Sequence, residues 1–252
     1  MSPARAPRRL LFHIRHFGVG GIENALLGWL QGLDRTLFHV DVSVALPTRE
    51  LEQVYRARLP ADVGLHCLVE PNGWLARLHQ RRRDGRLGAA GRLLLGAAMT
   101  LAARGRFLRE LRRLAPAYDV VIDYDLTLRK IAGSIPAPLV GVRHFGFWAR
   151  RTAKAARVGR DFRHYDCLAV LNEAMRRQAQ TLYGDALPRL AVLPNAFDLS
   201  AMRRAAREDG GLDLPAEPYA VCVARLDIPT KGLDLLLQAW RALLAAHPAA
   251  PA

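Results

Sequence analysis

The chain has 252 residues, 51% of them hydrophobic and 24% charged, with mean hydropathy near zero. That balance excludes disorder, collagen, coiled coil and small disulfide scaffolds. The length allows one large domain or two ordinary ones, and a net charge of +14 points to partners carrying phosphate or to an anionic membrane surface. Lys130, Lys154 and Lys231 are the only lysines, so the excess is arginine, which codon composition explains as readily as binding does.

At the N-terminus the apolar run LLFHI contains His13, is followed by Arg15 and leads to no small-residue cleavage site, so a cytoplasmic start without a secretory signal is expected. Strand-length apolar runs lie at Leu10–Ile14, Phe38–Ala45, Gly64–Val69, Tyr118–Ile122, Pro138–Val142, Cys167–Leu171, Leu190–Leu193 and Tyr219–Val223, with helical periodicity between most of them. This alternation predicts an α/β chain, a Rossmann-like doubly wound parallel sheet built of βαβ units. The longest nearly uncharged run, Leu93–Ala103, falls short of the roughly 20 residues that span a bilayer, so no transmembrane helix is expected. Cys67, Cys167 and Cys222 sit in separate apolar runs and read as buried free thiols of a reducing compartment.

Between Phe197 and Pro218 the alternation gives way to Gly, Pro and charge. The expected organisation is a first domain over 9–200, a linker over 201–218 and the beginning of a second domain over 219–252. A single βα unit at Tyr219–Ala246 cannot bury both faces of its strand. It either docks on the first sheet or opens a second domain that continues beyond this sequence.

Three segments carry candidate chemistry. In RHFGVGGIENALLGWL, Gly18, Gly20 and Gly21 precede a helix near Ile22, an arrangement that lets backbone N–H groups approach an anion or simply makes a tight turn with Glu23 at the helix start. It is neither a dinucleotide fingerprint, since Glu23 takes the sixth position, nor a P-loop. In CVARLDIPTKGLDLLL, Arg225 and Lys231 precede a helix and read either as a phosphate corner or as solvated cations. In LVGVRHFGFW, Arg143 and His144 lie just beyond a strand's carboxyl end, where open α/β sheets hold ligands, although strand-end histidines are also commonly structural. Asp123 and Asp125 could meet an acceptor hydroxyl or cap the turn near Thr127.

Together GVGGIENALL, VRHFGFW, AVLPNAFD and VARLDIPTKGLDLLLQAW resemble the family 4 glycosyltransferases, retaining enzymes of the two-domain GT-B architecture, over about Leu10 to His247. The resemblance implies transfer of a sugar from a nucleotide diphosphate-sugar to a cell-surface glycan or lipid-linked acceptor, in lipopolysaccharide or polysaccharide assembly. It implies that Arg225 and Lys231 stabilise the departing diphosphate, that His144 contacts the transferred sugar, and that Gly18, Gly20, Gly21, Arg143 and Asn195 bind donor or acceptor. It implies no metal and no cofactor. Pro194-Asn195-Ala196 departs from the family's Pro-Asn-Gly, a change of small cost if residue 196 has negative φ. The family's paired glutamates of the donor domain have no counterpart here, and an intact enzyme needs roughly 100 to 150 further residues.

From Gly73 to Arg113 the chain carries eleven arginines against Asp84 and Glu110. Leu94, Ala98, Leu101, Leu108 and Leu111 recur at helical spacing, predicting a basic amphipathic helix or helix pair. Arg104, Arg106, Arg109 and Arg113 are the residues expected to hold it on an anionic inner membrane face, against the alternative of a core-packed helix with a solvated arginine face. The alternative function is a truncated, non-catalytic protein that binds glycan or membrane without transfer. Nucleic-acid binding is disfavoured, because the arginines lack interleaved aromatics or a helix-turn-helix pattern.

Overall fold

A computed structural model describes residues 6–146, 153–208, 216, 219–224, 226 and 228–247. The chain divides into two compact units, residues 1–199 and 200–252. The first unit holds seven strands: β1 (Arg8–Ile14), β2 (Phe38–Val44), β3 (Gly64–Cys67), β4 (Val120–Asp123), β5 (Leu139–Arg143), β6 (Cys167–Val170) and β7 (Arg189–Val192). Their order is β3-β2-β1-β4-β5-β6-β7 and every pairing is parallel. This is the Rossmann-like sheet that the strand and helix alternation predicts, with seven of the eight expected strands in place within a few residues of their predicted ends.

The helices of this unit are α1 (Gly21–Gly32), α2 (Trp74–Arg83), α3 (Ala89–Ala102), α4 (Leu108–Leu114), α5 (Ala153–Phe162) and α6 (Glu173–Tyr183). Strand side chains alternate between two apolar layers, as the period of two requires. Leu11, Val121, Leu139 and Leu168 enter one layer, shared with Leu95, Phe107 and Leu111 of the β3–β4 crossover. Phe12, Val42, Val142 and Ala169 enter the other, shared with Leu26, Leu27 and Leu30 of α1. Helix α6 starts where Asn172 caps it, its side chain accepting a hydrogen bond from Met175 N–H at 2.9 Å, with Glu173 in the first turn.

The crossover from β3 to β4 must pass β2 and β1, which explains why it holds three helices. The apolar stripe expected at Leu94 and Leu101 is corrected by one position. Leu95 is fully buried, whereas Leu94 and Leu101 are 59% and 73% exposed. Helix α3 is apolar nearly all round, so the sheet selects the Leu95 side. A π-helical turn at Ala103–Phe107 then adds a residue and rotates Phe107 and Leu111 into the core.

Beyond β7 the chain returns across α1, where the carbonyl of Ala196 lies 2.1 Å from the place a Cβ on Gly28 would take. Only glycine admits that approach. Ala196 itself has no positive φ, so the departure from Pro-Asn-Gly creates no backbone strain.

The second unit holds α7 (Leu199–Ala205), which starts at its boundary, α8 (Ile228–Lys231) and α9 (Leu233–Ala246). The predicted strand Tyr219–Val223 does not form: residues 219–224 are irregular and exposed. A strand exists only by pairing, and no neighbour among the described residues supplies a ladder. Cys222 is therefore exposed, and Cys67 and Cys167 are half-buried, so the three free thiols are not the buried set expected.

Candidate functional site

In the sheet order the chain reverses direction between β1 and β4, the switch point at whose carboxyl edge open α/β sheets leave a crevice. Four loops border it, following β1, β2, β4 and β5. Asp125 ties two of them together: its carboxylate accepts from Arg15 N–H at 3.0 Å and from Thr127 N–H at 3.2 Å, with a further bond from the Thr127 hydroxyl. Asp123 accepts from Leu128 N–H at 2.9 Å and Tyr165 O–H at 2.6 Å. Both aspartates thus organise the turn after β4, which passes through Leu126 at φ 56°.

His144, just after β5, donates from Nε2 to the Tyr124 carbonyl at 2.7 Å, and its ring lies 4.5 Å from the Tyr124 ring. A carbonyl can only accept, so Nε2 carries the proton and Nδ1 of the neutral ring is left as an acceptor. Burial lowers the His144 pKa below the usual histidine value, and the ring acts as a neutral hydrogen-bonding group or base rather than an acid at neutral pH. Arg143 donates from Nε to the Phe145 carbonyl at 2.8 Å and from an Nη to Gly146 at 3.1 Å, and so shapes the β5 loop.

In the loop after β1, Gly18 N–H donates to Glu23 Oε1 at 2.9 Å. The chain's own carboxylate thus occupies the place an anion could take. Gly20 caps α1 with φ −166°, extended backbone, and a Cβ there would come within 2.8 Å of Glu23 Oε2, whereas one on Gly21 would meet nothing. Of the three glycines, Gly18 is the one with a cation close by, the Arg83 guanidinium. Asn195 follows β7, and its Oδ1 is buried without a partner.

A polar row crosses the sheet beneath these loops, and of its members the sequence singles out only Asp123. Ser43, His13 and Asp123 occupy matched register positions on β2, β1 and β4, all fully buried on the Leu11 face. His13 Nδ1 and Ser43 Oγ share a 2.9 Å hydrogen bond. Burial lowers the His13 pKa to about 4 and raises that of Asp123 to about 8, where nearby Asp125 pushes the same way. Desolvation opposes charge on either group, so both are biased to their neutral forms. A histidine inside an apolar strand and polar residues at alternate positions of FHVDVSV were the available signals.

In the second unit, Lys231 is exposed at the end of α8, and Gly232 caps α9 at φ 60°. Arg225 lies outside the described residues. In the basic segment, Arg106 donates to the Leu68 carbonyl at 3.1 Å, while Arg109 and Arg113 extend into solvent beside Glu110. The side chain of Arg104 lies outside the described ones. Among the described residues no group of three His, Cys, Asp or Glu could hold a metal ion, and no helix is long and apolar enough to cross a membrane.

No protein-family model matches the chain, and no curated protein does. Solved structures do match. A UDP-glucosyltransferase from Polygonum tinctorium capable of glucosylating indoxyl is 13% identical with a TM-score of 0.50, over 81% of this chain and 56% of that one. UGT2 of Phytolacca americana is 11% identical with a TM-score of 0.49, over 81% and 55%. HepE of Anabaena, in complex with UDP and glucose, is 16% identical with a TM-score of 0.45, over 77% and 46%. The likeness to the Polygonum protein is one of fold, a Rossmann-like parallel sheet flanked by helices. The chain spans about half the length of the solved structures it matches.

Proposed function

We propose that this chain is the acceptor-side part, with the beginning of the nucleotide-sugar part, of a glycosyltransferase of the retaining family 4 type. It moves a sugar from a nucleotide diphosphate-sugar to a cell-surface glycan or lipid-linked acceptor in lipopolysaccharide or polysaccharide assembly, at the cytoplasmic face of the membrane. The observation that carries this reading is the switch point between β1 and β4, where the glycine loop, the Tyr124–Asp125 turn and His144 border one crevice edge. The fold shared with a UDP-glucosyltransferase supports it.

In this reading the first domain covers 9–200 and the second begins at 219, after a linker over 201–218. His144 presents Nδ1 as an acceptor to a hydroxyl of the transferred sugar. Arg143 holds the loop that carries His144, and Gly18, Gly20, Gly21 and Asn195 line the donor and acceptor space. Arg225 and Lys231 neutralise the departing diphosphate. Exposed Trp74, Leu94 and Leu101 around a cavity of about 500 Å³, together with exposed Leu93, all within the segment of eleven arginines, support contact with an anionic bilayer.

The test is titration of UDP and UDP-glucose into the chain and into a version extended through the gene's downstream reading frame, with transfer measured on the longer one. Arg225→Ala and Lys231→Ala should each weaken diphosphate binding at least tenfold, and His144→Ala should lower transfer about a hundredfold. Absence of nucleotide binding by both forms overturns the proposal. Separately, anionic vesicles should retain the chain at low salt and lose the variant with Arg104, Arg106, Arg109 and Arg113 changed to Gln.

A further inference from the structure

A second polar cluster lies beside the loop after β1 and uses none of the residues given roles above except Gly18. His16 of that loop faces His79 of α2, ring centroids 4.9 Å apart. One turn further along α2, the Arg83 guanidinium stands 2.7 Å from where a Cβ on Gly18 would be, and 3.5 Å from Glu50 Oε1 in the helical turn that follows the β2 loop. The last distance exceeds that of a good hydrogen bond. Three atoms of this cluster are buried without partners: His16 Nδ1, His79 Nε2 and Glu50 Oε2. His79 is only 8% exposed, whereas His16 is half-buried, so the cluster opens toward solvent on the His16 side.

Buried polar atoms are matched in the great majority of cases, and an unmatched one is left with its desolvation cost unrepaid. Two on rings in contact, with the third on a carboxylate that pairs with Arg83 and acts electrostatically on His79, mark a place built for a hydrogen-bonding ligand. The donors and acceptors select its chemistry. A guanidinium only donates, a carboxylate only accepts, and a neutral imidazole does one at each nitrogen. A phosphate, anionic and predominantly an acceptor, would be repelled by the carboxylates of Glu50 and of Glu23, which already takes the Gly18 N–H. Hydroxyl groups donate and accept, and satisfy all four side chains at once.

We propose that His16, His79, Glu50 and Arg83 form a site for adjacent hydroxyl groups of a neutral saccharide, the carbohydrate portion of the acceptor. This rests on the glycosyltransferase reading for its role in transfer, but the site itself stands on the unpartnered atoms. Its imidazoles are held neutral by burial first, with further lowering from Arg83 and Arg15 around both, His79 beside His16 and Arg82 beside His79, against Glu50 beside His79. His16 falls to about 3 and His79 to about 4. Hydrogen bonding without proton uptake is therefore the expected mode.

The experiment is long-range proton–nitrogen NMR of the imidazoles in the 252-residue chain, titrated with D-glucose, D-galactose, D-mannose and, separately, inorganic phosphate. At least one sugar should shift the His16 and His79 ring nitrogens while both rings stay neutral. His79→Phe and Glu50→Gln should weaken that binding about tenfold or more, and Arg177→Gln on α6 should leave it unchanged. Should His79→Phe fail to fold, Glu50→Gln gives the same reading from a half-buried position. Shifts with phosphate and not with sugars, unchanged affinity in Glu50→Gln, or no shift with any probe each overturn the site. Nucleotide binding is scored in parallel on this chain and on the extended version: sugar binding with no nucleotide binding by either form sinks the transferase reading and keeps the site, and the reverse sinks only the site.

Discussion

Two segments of the molecule have the same sequence grammar and different fates. Around Leu10–Gly32 and around Tyr219–Ala246, an apolar run leads through a glycine-bearing loop into an amphipathic helix. The first becomes β1 and α1 at the centre of a seven-stranded sheet, with Leu26 and Leu30 fully buried. In the second, residues 219–224 pair with nothing among the described residues, and α9 buries none of its side chains. The difference teaches which information is local. A helix closes its own hydrogen bonds and needs only its periodicity, whereas a strand is defined by its neighbours.

The largest way to break the comparison is to damage the well-packed member. Gly28→Ala would put a Cβ 2.1 Å from the Ala196 carbonyl oxygen, and backbone must move to admit it. The expected cost is about 3 kcal/mol or more, read from urea unfolding followed by Trp29 fluorescence. Gly32→Ala on the same helix meets no atom within 4 Å and should instead gain about 0.5–1 kcal/mol. Equal behaviour of the two variants would show that the chain beyond β7 does not pack on α1.

Legibility follows the same division. The inner strands of the first unit could be read because burial on both faces leaves continuous apolar runs, such as LLF in β1 and LAV in β6. The switch-point loops could be placed because they follow those strands, and His144 sits where a strand end predicts a ligand-facing residue. The resting state of the glycine loop could not be read: that Glu23 fills it depends on α1 folding back five residues later. The cluster of His16, Glu50, His79 and Arg83 was equally invisible, since its members come from three segments joined only by the packing of α2 near the β1 loop. The position of the apolar stripe on α3 was misread because a π turn, unpredictable from spacing, intervenes before Phe107.

A medium-sized effect comes from pH, and it belongs almost wholly to the first unit. His13, His16 and His79 have native pKa values of about 4, 3 and 4 against the ordinary 6.5, so the unfolded chain binds more protons below that value. Their contribution is present above pH 6.5 and is lost as pH falls toward 4. Asp123, raised from 3.8 to about 8, has the opposite sign: the native state keeps its proton longer, and stability falls as pH rises through that interval. Three histidines outweigh one aspartate on the acid side, which puts the stability maximum near neutrality. Asp123→Asn keeps an acceptor for Tyr165 and Leu128 and removes the ionisation. It should flatten the decline above pH 6.5 and stabilise the chain at pH 8, measured by urea midpoints. An unchanged pH profile in that variant would mean that Asp123 is ionised and solvated in the native state.

The smallest effect sharpens the comparison from the other side. Leu237 on α9 is 69% exposed, so Leu237→Ala removes little packing and should change stability by no more than about 0.5 kcal/mol, with Ala's better helix propensity partly offsetting the loss. Leu11→Ala, a fully buried residue of β1, should cost about 2–5 kcal/mol. Both are read by urea unfolding, with Trp240 reporting on α9 and Trp29 on the sheet. A core-sized loss at Leu237 would mean that the apolar side of α9 is covered in solution, either by more of its own chain or by a second copy. Repeating the measurement at two protein concentrations separates these, because only association makes the loss concentration-dependent.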